Sequence, residues 1–348
     1  MRFTAFIFTA LLLATPAAGQ EWSSTSVAEV EALLETDPEA GRAMAEALAA
    51  TGEPDAINLY GTVIEEQSEG RPEEMARAVA LYEQAADAGS NKGRVNLAYI
   101  LIFDSERRDY RRAMSLAETA SGDPAVAAFS AYLLGTGYLF GNGFEQDVER
   151  GVALLNKSIR SEPDNADAQY LLGRAYAEGW GVEPDLARAW THQKIAAELG
   201  NPRAMWQVGL FFYEGEVVEQ DLPKAHEMFL RAAEGGDPHG QVSAAVTFAL
   251  GQGVAVDPAR ARHWYRQAAE QGSAHALRGL GMMFITGEGG AVDQTVGTAY
   301  LEMAVEAGDE RAPRLADQYR DEVAAQDRGR VEAVKKAWRA KYGEPWAG

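Results

Sequence analysis

Residues 168–203 read AQYLLGRAYAEGWGVEPDLARAWTHQKIAAELGNPR, and the residues that follow repeat their punctuation. Gly173, Gly209, Ala245 and Gly281 stand 36 apart, as do Gly179, Gly215, Gly251 and Gly287, and Asp185, Asp221, Asp257 and Asp293. The pairs Ala196-Ala197, Ala232-Ala233 and Ala268-Ala269 keep the same interval, while Gly200, Gly236, Gly272 and Gly308 close each unit. A period of this length marks an array of small supersecondary units, none of which buries its apolar face alone.

Each column has a physical job. Leu171, Leu172, Ala175 and Tyr176 fall at helical spacing, so the unit opens with an amphipathic helix. Gly179 and Gly200 suit helix ends, where the left-handed conformation costs other residues about 1–2 kcal/mol. Asp185, Asp221 and Asp257 can accept from the orphan amides of a second helix, each cap contributing about 1 kcal/mol. Ala189, Ala225 and Ala261 leave little side chain between helices, so neighbouring backbones can approach and stack. Asn201-Pro202 and Asp237-Pro238 then read as N-cap and first-turn proline of the next unit.

In this combination the residues resemble the Sel-one-like repeat family, a branch of the tetratricopeptide-like solenoids. Residues 168–203 and 240–275 fit its pattern almost throughout, the latter with Gly251-Gln252-Gly253-Val254, His263-Trp264-Tyr265 and Ala268-Ala269. Upstream, Leu134-Gly135, Tyr138, Gly141-Asn142-Gly143 and Asp147 hold the register with two extra residues. Residues 93–128 keep Asn96-Leu97-Ala98, Asp109 and Ala113 but have Asp104-Ser105-Glu106-Arg107 in place of the glycine loop. Residues 56–92 match in their second half, at Ala78, Leu81-Tyr82, Ala85-Ala86 and Gly89. The resemblance implies an all-α fold, a right-handed α/α solenoid superhelix of about seven helix-turn-helix repeats over 56–312.

Helical caps are expected on either side, because terminal units expose a face that neighbours would otherwise cover. The N-terminal cap spans 20–55, with apolar stripes at Val27, Val30, Leu33, Leu34 and at Met44, Ala47, Leu48 around an Asp37-Pro38 start signal. The C-terminal cap spans 313–348 and reads as two helical stretches broken near Gly329. Its basic residues Lys335, Lys336, Arg339 and Lys341 are expected to complement the negative end of a helix dipole. Residues 1–19 read as a signal peptide: Arg2 precedes an apolar run from Phe3 to Leu13, and Ala17-Ala18-Gly19 offers cleavage after Gly19, with Ala18 second. A periplasmic or secreted location is therefore expected, without membrane insertion once the signal is removed.

Charge and composition narrow the chemistry. Lys plus Arg number 32 against 52 Asp plus Glu, and a net charge of −20 repels nucleic acid. The absence of cysteine excludes disulfides, thiolate metal sites and a cysteine nucleophile. None of the five histidines, His192, His226, His239, His263 and His275, has metal-ligand spacing, and His192, His226 and His263 are expected on the surface of second helices. No cofactor is implied, since each Gly-x-Gly at Gly141, Gly179, Gly251 and Gly287 follows a helix and not the strand that dinucleotide binding needs. The acidic pairs Glu65-Glu66 and Glu73-Glu74 read as solvated loop. An acidic column, Glu198, Glu234, Glu270 and Glu306, is expected to pair with a basic one, Arg203, His239, His275 and Arg311, across the inter-repeat turns.

Resemblance to tetratricopeptide-like solenoids implies that first helices line a concave groove for a protein or peptide partner. Large residues at columns the pattern leaves free are the groove candidates: Arg174, Trp206, Phe211, Tyr213, Met282 and Met283, with Trp180 in a loop. Core filling is the competing role for Phe211, Met282 and Met283. The expected function is a non-catalytic scaffold or adaptor in the bacterial envelope, similar to the ExoR-type periplasmic regulators in its narrowest form. The alternative is a hydrolase of cell-wall or β-lactam substrates, which rests on family association alone, and self-association through the solenoid ends is open.

Overall fold

The computed structural model describes residues 24–68, 70–323 and 327–344. The expected signal segment and its cleavage site lie outside them. The described residues form eighteen helices and no strand. Contacts divide the chain into two compact units: residues to Ala168 with the loop Gly179–Glu183, and Gln169–Glu178 with Pro184 onward.

The first unit contains α1 (Ser24–Thr36), α2 (Pro38–Ala49), α3 (Pro54–Glu66), α4 (Pro72–Asp87), α5 (Asn91–Phe103), α6 (Tyr110–Ala120), α7 (Ala127–Phe140) and α8 (Val148–Ser161). They pack as four successive hairpins, each laid on the one before. In the α1–α2 hairpin Asp37 starts α2, its carboxylate accepting from the Ala40 amide at 3.1 Å. Val30 and Ala45 on it are completely buried with Tyr60, Val63 and Ile64 of α3.

The second unit holds most of α9 (Ala166–Glu178), then α10 (Leu186–Glu198), α11 (Pro202–Glu214), α12 (Leu222–Glu234), α13 (Pro238–Leu250), α14 (Pro258–Glu270), α15 (Ala274–Thr286) and α16 (Gln294–Glu306), followed by α17 (Ala312–Glu322) and α18 (Arg328–Tyr342). Its hairpins form where the sequence punctuates them. Asp185, Asp221, Asp257 and Asp293 each accept from the amide three residues on, at 3.0–3.1 Å. Their own amides return to the first helix, Asp257 to the Phe248 carbonyl at 2.8 Å and Asp293 to Phe284 at 2.8 Å. Asn201, Asp237 and Ser273 start the next first helices in the same way.

Small residues set the spacing between helices. Ala189, Ala225 and Ala261 are at most 1% exposed, and a Cβ at Gly209 would come within 2.5 Å of the Phe229 ring. Close backbone approach of this kind is what holds an array without disulfides together. Within each unit, consecutive first helices also touch, α3 with α5 and α5 with α7 in one, α11 with α13 in the other. That contact puts first helices on the tighter side of each stack.

The C-terminal end forms two helices whose break falls between Glu322 and Arg328, next to Gly329 in the first turn of α18, but its basic residues are used differently from expectation. Both α17 and α18 pack on α16, and the basic residues of α18 meet carboxylates and not only their own helix end. Lys335, 6% exposed, reaches Glu302 at 3.1 Å and Glu306 at 2.8 Å, while Arg339 pairs with Glu306. Lys341 sits over the Tyr342 ring, and Lys336 is exposed. Trp338 completes the seal edge-on to Tyr300, at a centroid distance of 5.2 Å.

Candidate functional site

The first helices of the second unit carry most of the candidate binding residues, and the local fold poses them differently. Trp206, half-buried on α11, donates from Nε1 to Ser243 Oγ of α13 at 3.0 Å. The His239 ring stacks on it at 4.8 Å. An indole fixed on its polar edge and one face, with the remainder reachable, is a pre-ordered contact surface that loses little rotamer entropy on binding.

Arg174, on α9, binds Glu178 through Nε at 2.9 Å and Nη2 at 2.6 Å. Burial works against its charge, but the hydrogen bonds to Glu178 and Tyr170 overcome that and hold the guanidinium above its ordinary pKa. Burial likewise raises the Tyr170 phenol, against the opposing charges of Arg174 and Arg203. Tyr213 is half-buried against Phe229, and its hydroxyl accepts from Gln252 at 3.3 Å. Phe211 is half-buried edge-on to Trp190 at 5.5 Å. Trp180 belongs to the first unit, half-buried, with Phe140 edge-on at 6.1 Å.

Two candidates turn inward. Met283 is 4% exposed and packs with Phe248 and Ala261, so it is core and not groove. Met282, half-buried, packs against the cluster of Ile285, Leu301 and Ala316. One residue apart on a helix, they face neighbours about 100° apart, both already occupied.

Other expectations are corrected by burial and pairing. His226 is 8% exposed, with Nδ1 2.8 Å from Thr247 Oγ1, and is no surface residue. Burial first, then the charge of Arg260, pulls its pKa down. The His192 ring is half-buried, 2.8 Å from Gln169 Oε1 and stacked on Tyr176, and its pKa is lowered by burial and by Arg188. Glu65 lies in α3 and accepts from Tyr82 Oη at 2.6 Å, so it is not solvated loop. Burial holds its carboxyl above the usual range, partly offset by that hydrogen bond and reinforced by Glu66. The two charged columns do not pair with each other: Glu198 meets Lys194 of its own helix, Glu306 meets α18, and His275 approaches Asp309 at 3.7 Å. Asp309 is instead the partner of Arg278, at 2.9 Å.

Among the described residues no three His, Asp or Glu side chains converge as metal ligands would. The candidates present aromatic faces and a guanidinium on helices, Trp206 and Tyr213 on α11 and Arg174 on α9. Stacked hairpins with these surfaces define a helical-repeat protein. The Sel1 repeat model matches residues 54–90, 128–162, 166–201, 202–237, 238–273 and 274–309, and the chain belongs to that family. The unmatched interval contains α5 and α6, whose connection lacks the glycine loop.

Solved structures that align with TM-scores above 0.5 share the fold. A Sel1 repeat protein from Oxalobacter formigenes aligns at a TM-score of 0.58 and 24% identity, covering 86% of this chain and 90% of that one. The human IFIT1 dimer with PPP-AAAA aligns at 0.53 and 16% identity over 88% and 72%. The SLR-fold protective antigen c5321 of uropathogenic Escherichia coli aligns at 0.41 and 19% over 92% and 85%. A search of the curated proteins finds no significant match.

Proposed function

We propose that this protein is a non-catalytic scaffold of the bacterial envelope, and that the first-helix side of its second unit holds a segment of a protein partner. The observation that carries this reading is Trp206. A half-exposed tryptophan tied by Ser243 and stacked by His239 serves an interface better than a core, because tryptophan and arginine dominate interface energetics. Arg174 lies on the neighbouring first helix and supplies a charged, oriented group. Export is supported by Arg2, the apolar run Phe3 to Leu13 and the small residues Ala17-Ala18-Gly19. No helix among the described residues is long and apolar enough to cross a membrane.

In vivo crosslinking followed by purification of the wild type, Trp206→Ala and Arg174→Ala tests both halves. The expected result is a crosslinked partner in the envelope fraction, lost from Trp206→Ala while the helical circular dichroism signal persists. Equal capture by all three proteins would reject the assigned face. N-terminal sequencing of the same material reads the cleavage site, expected after Gly19 or Ala18.

A further inference from the structure

One column of the second helices behaves unlike the others. Trp190, His226, Arg262 and Thr298 are repeat equivalents. Trp190 and His226 fill the space against the next first helix with neutral rings, Trp190 edge-on to Phe212 at 5.4 Å and His226 edge-on to Phe248 at 4.6 Å. Arg262 puts a permanent charge in the same place. Its guanidinium lies 3.6 Å from the centre of the Phe284 ring, and the residue is 8% exposed. Nε is fully buried without a hydrogen-bond partner, and no ion pair or hydrogen bond joins the guanidinium to any described residue. Burial first, then the like charge of Arg266 one turn along α14, pulls its pKa down.

A buried cation without an anion is unfavourable, and the Phe284 face offsets only part of the lost hydration. The fold does not require it, since the three equivalent positions do without. Tyr300 stands close by, 8% exposed, its ring centroid 5.5 Å from that of Phe284. Arg262 and Arg266 put two positive charges one turn apart on α14, and neither forms an ion pair with a described residue.

We propose that Arg262 anchors a binding site for a carboxylate. A guanidinium matches a planar carboxylate through two parallel hydrogen bonds. Because Nε is enclosed, the ligand meets the Nη end. The chain's charge of −20 opposes a phosphate dianion more than a single carboxylate. The site lies at the α14–α15 junction, away from Trp206 and Arg174, so it stands independently of the partner-binding face.

Thermal unfolding of the mature chain in sodium acetate, against sodium chloride and sodium phosphate at equal ionic strength, reads the site. The wild type is expected to melt higher in acetate than in either other salt. Arg262→Met is expected to lose that difference while melting no lower than the wild type in chloride, and Arg262→Lys to keep only part of it. A hexapeptide of alanine and leucine with a free C-terminal carboxylate, compared with its amidated twin, separates the sources. Preference of about tenfold for the free form, lost in Arg262→Met, assigns a chain terminus; acetate protection without that preference assigns a small carboxylate. Equal responses of wild type and Arg262→Met, or chloride or phosphate protecting as well as acetate, would overturn the proposal. Trp206→Ala should leave the acetate response intact.

Discussion

The α13–α14 loop and the α5–α6 loop solve one problem with different chemistry. In the former, Gly251 ends the helix at φ 72°, its amide on the Thr247 carbonyl, and Gly253 at φ 75° passes so near α12 that a Cβ would sit 2.1 Å from the Leu222 carbonyl oxygen. In the latter, Asp104 ends the helix in extended conformation, and its carboxylate takes the Glu106 amide and the Arg107 guanidinium. Both then return an aspartate amide to the first helix, Asp257 to Phe248 at 2.8 Å and Asp109 to Leu101 at 3.0 Å. The common requirement is that closing bond and the N-cap that follows. Glycine is one means of reaching it, and a side-chain clasp is another.

The largest expected effect sharpens this contrast at Gly253. Gly253→Ala combines a left-handed backbone with a collision against fixed main chain, and should lower unfolding stability by about 3 kcal/mol in urea titration. Gly236→Ala, at φ 85° with nothing within 4 Å, should lose only the backbone share, about 1 kcal/mol. Equal losses at the two positions would show that close approach to α12 does not govern the loop.

Breaking the clasp comes next. Asp104→Ala removes two hydrogen bonds, one of them an ion pair with Arg107, from a half-buried turn, and a loss of about 1–2 kcal/mol is expected by the same titration. No loss would mean that Asp109 alone closes the loop. The Asp104 carboxyl is held below its usual pKa, because hydrogen bonds from Glu106 and Arg107 outweigh burial. Its contribution is thus present at neutral pH and lost as pH falls through the folded-state value.

The smallest effect separates the two units by pH. His192 and His226 in the second unit have folded-state pKa values below the ordinary 6.5, so the unfolded chain binds more protons and stability falls as pH drops below that value. Glu65 and Glu31 in the first unit have values raised above the ordinary 4.5, chiefly by burial, so the folded state binds more protons and stability falls as pH rises from there. Amide hydrogen exchange between about pH 5 and 6.5 should show protection moving in opposite directions in α3 and α12. Parallel movement would contradict the assigned burial.

Much of this fold was legible because its signals are local. The Asp185, Asp221 and Asp257 caps, the prolines at 202 and 238 and the glycines at 179 and 251 act within a turn of themselves, so a single strand of text contains both partners. Depth was not legible. Met283 and His226 look like ordinary members of amphipathic helices, and only the neighbouring hairpin, 21 residues away for Thr247, shows them enclosed. The charged columns misled for a related reason: equal spacing places residues on equivalent positions without saying which of them touch. Trp206 was found as a large residue in a free column, yet Ser243 and His239, which pose it, come from the next repeat. Arg262 had a signal that went unread, a lone permanent charge in a column of tryptophan, histidine and threonine.

The docking of α18 has a consequence for how such a chain evolves. Lys335 and Trp338 occupy the surface of α16 that a further hairpin would need, and stripping them away would strand Glu302 beside Arg320 alone. Lengthening at this terminus therefore carries a penalty that duplication in the interior avoids, since every unit between 202 and 309 brings its own start and stop. Growth from the middle, with both ends kept, is the history this architecture favours.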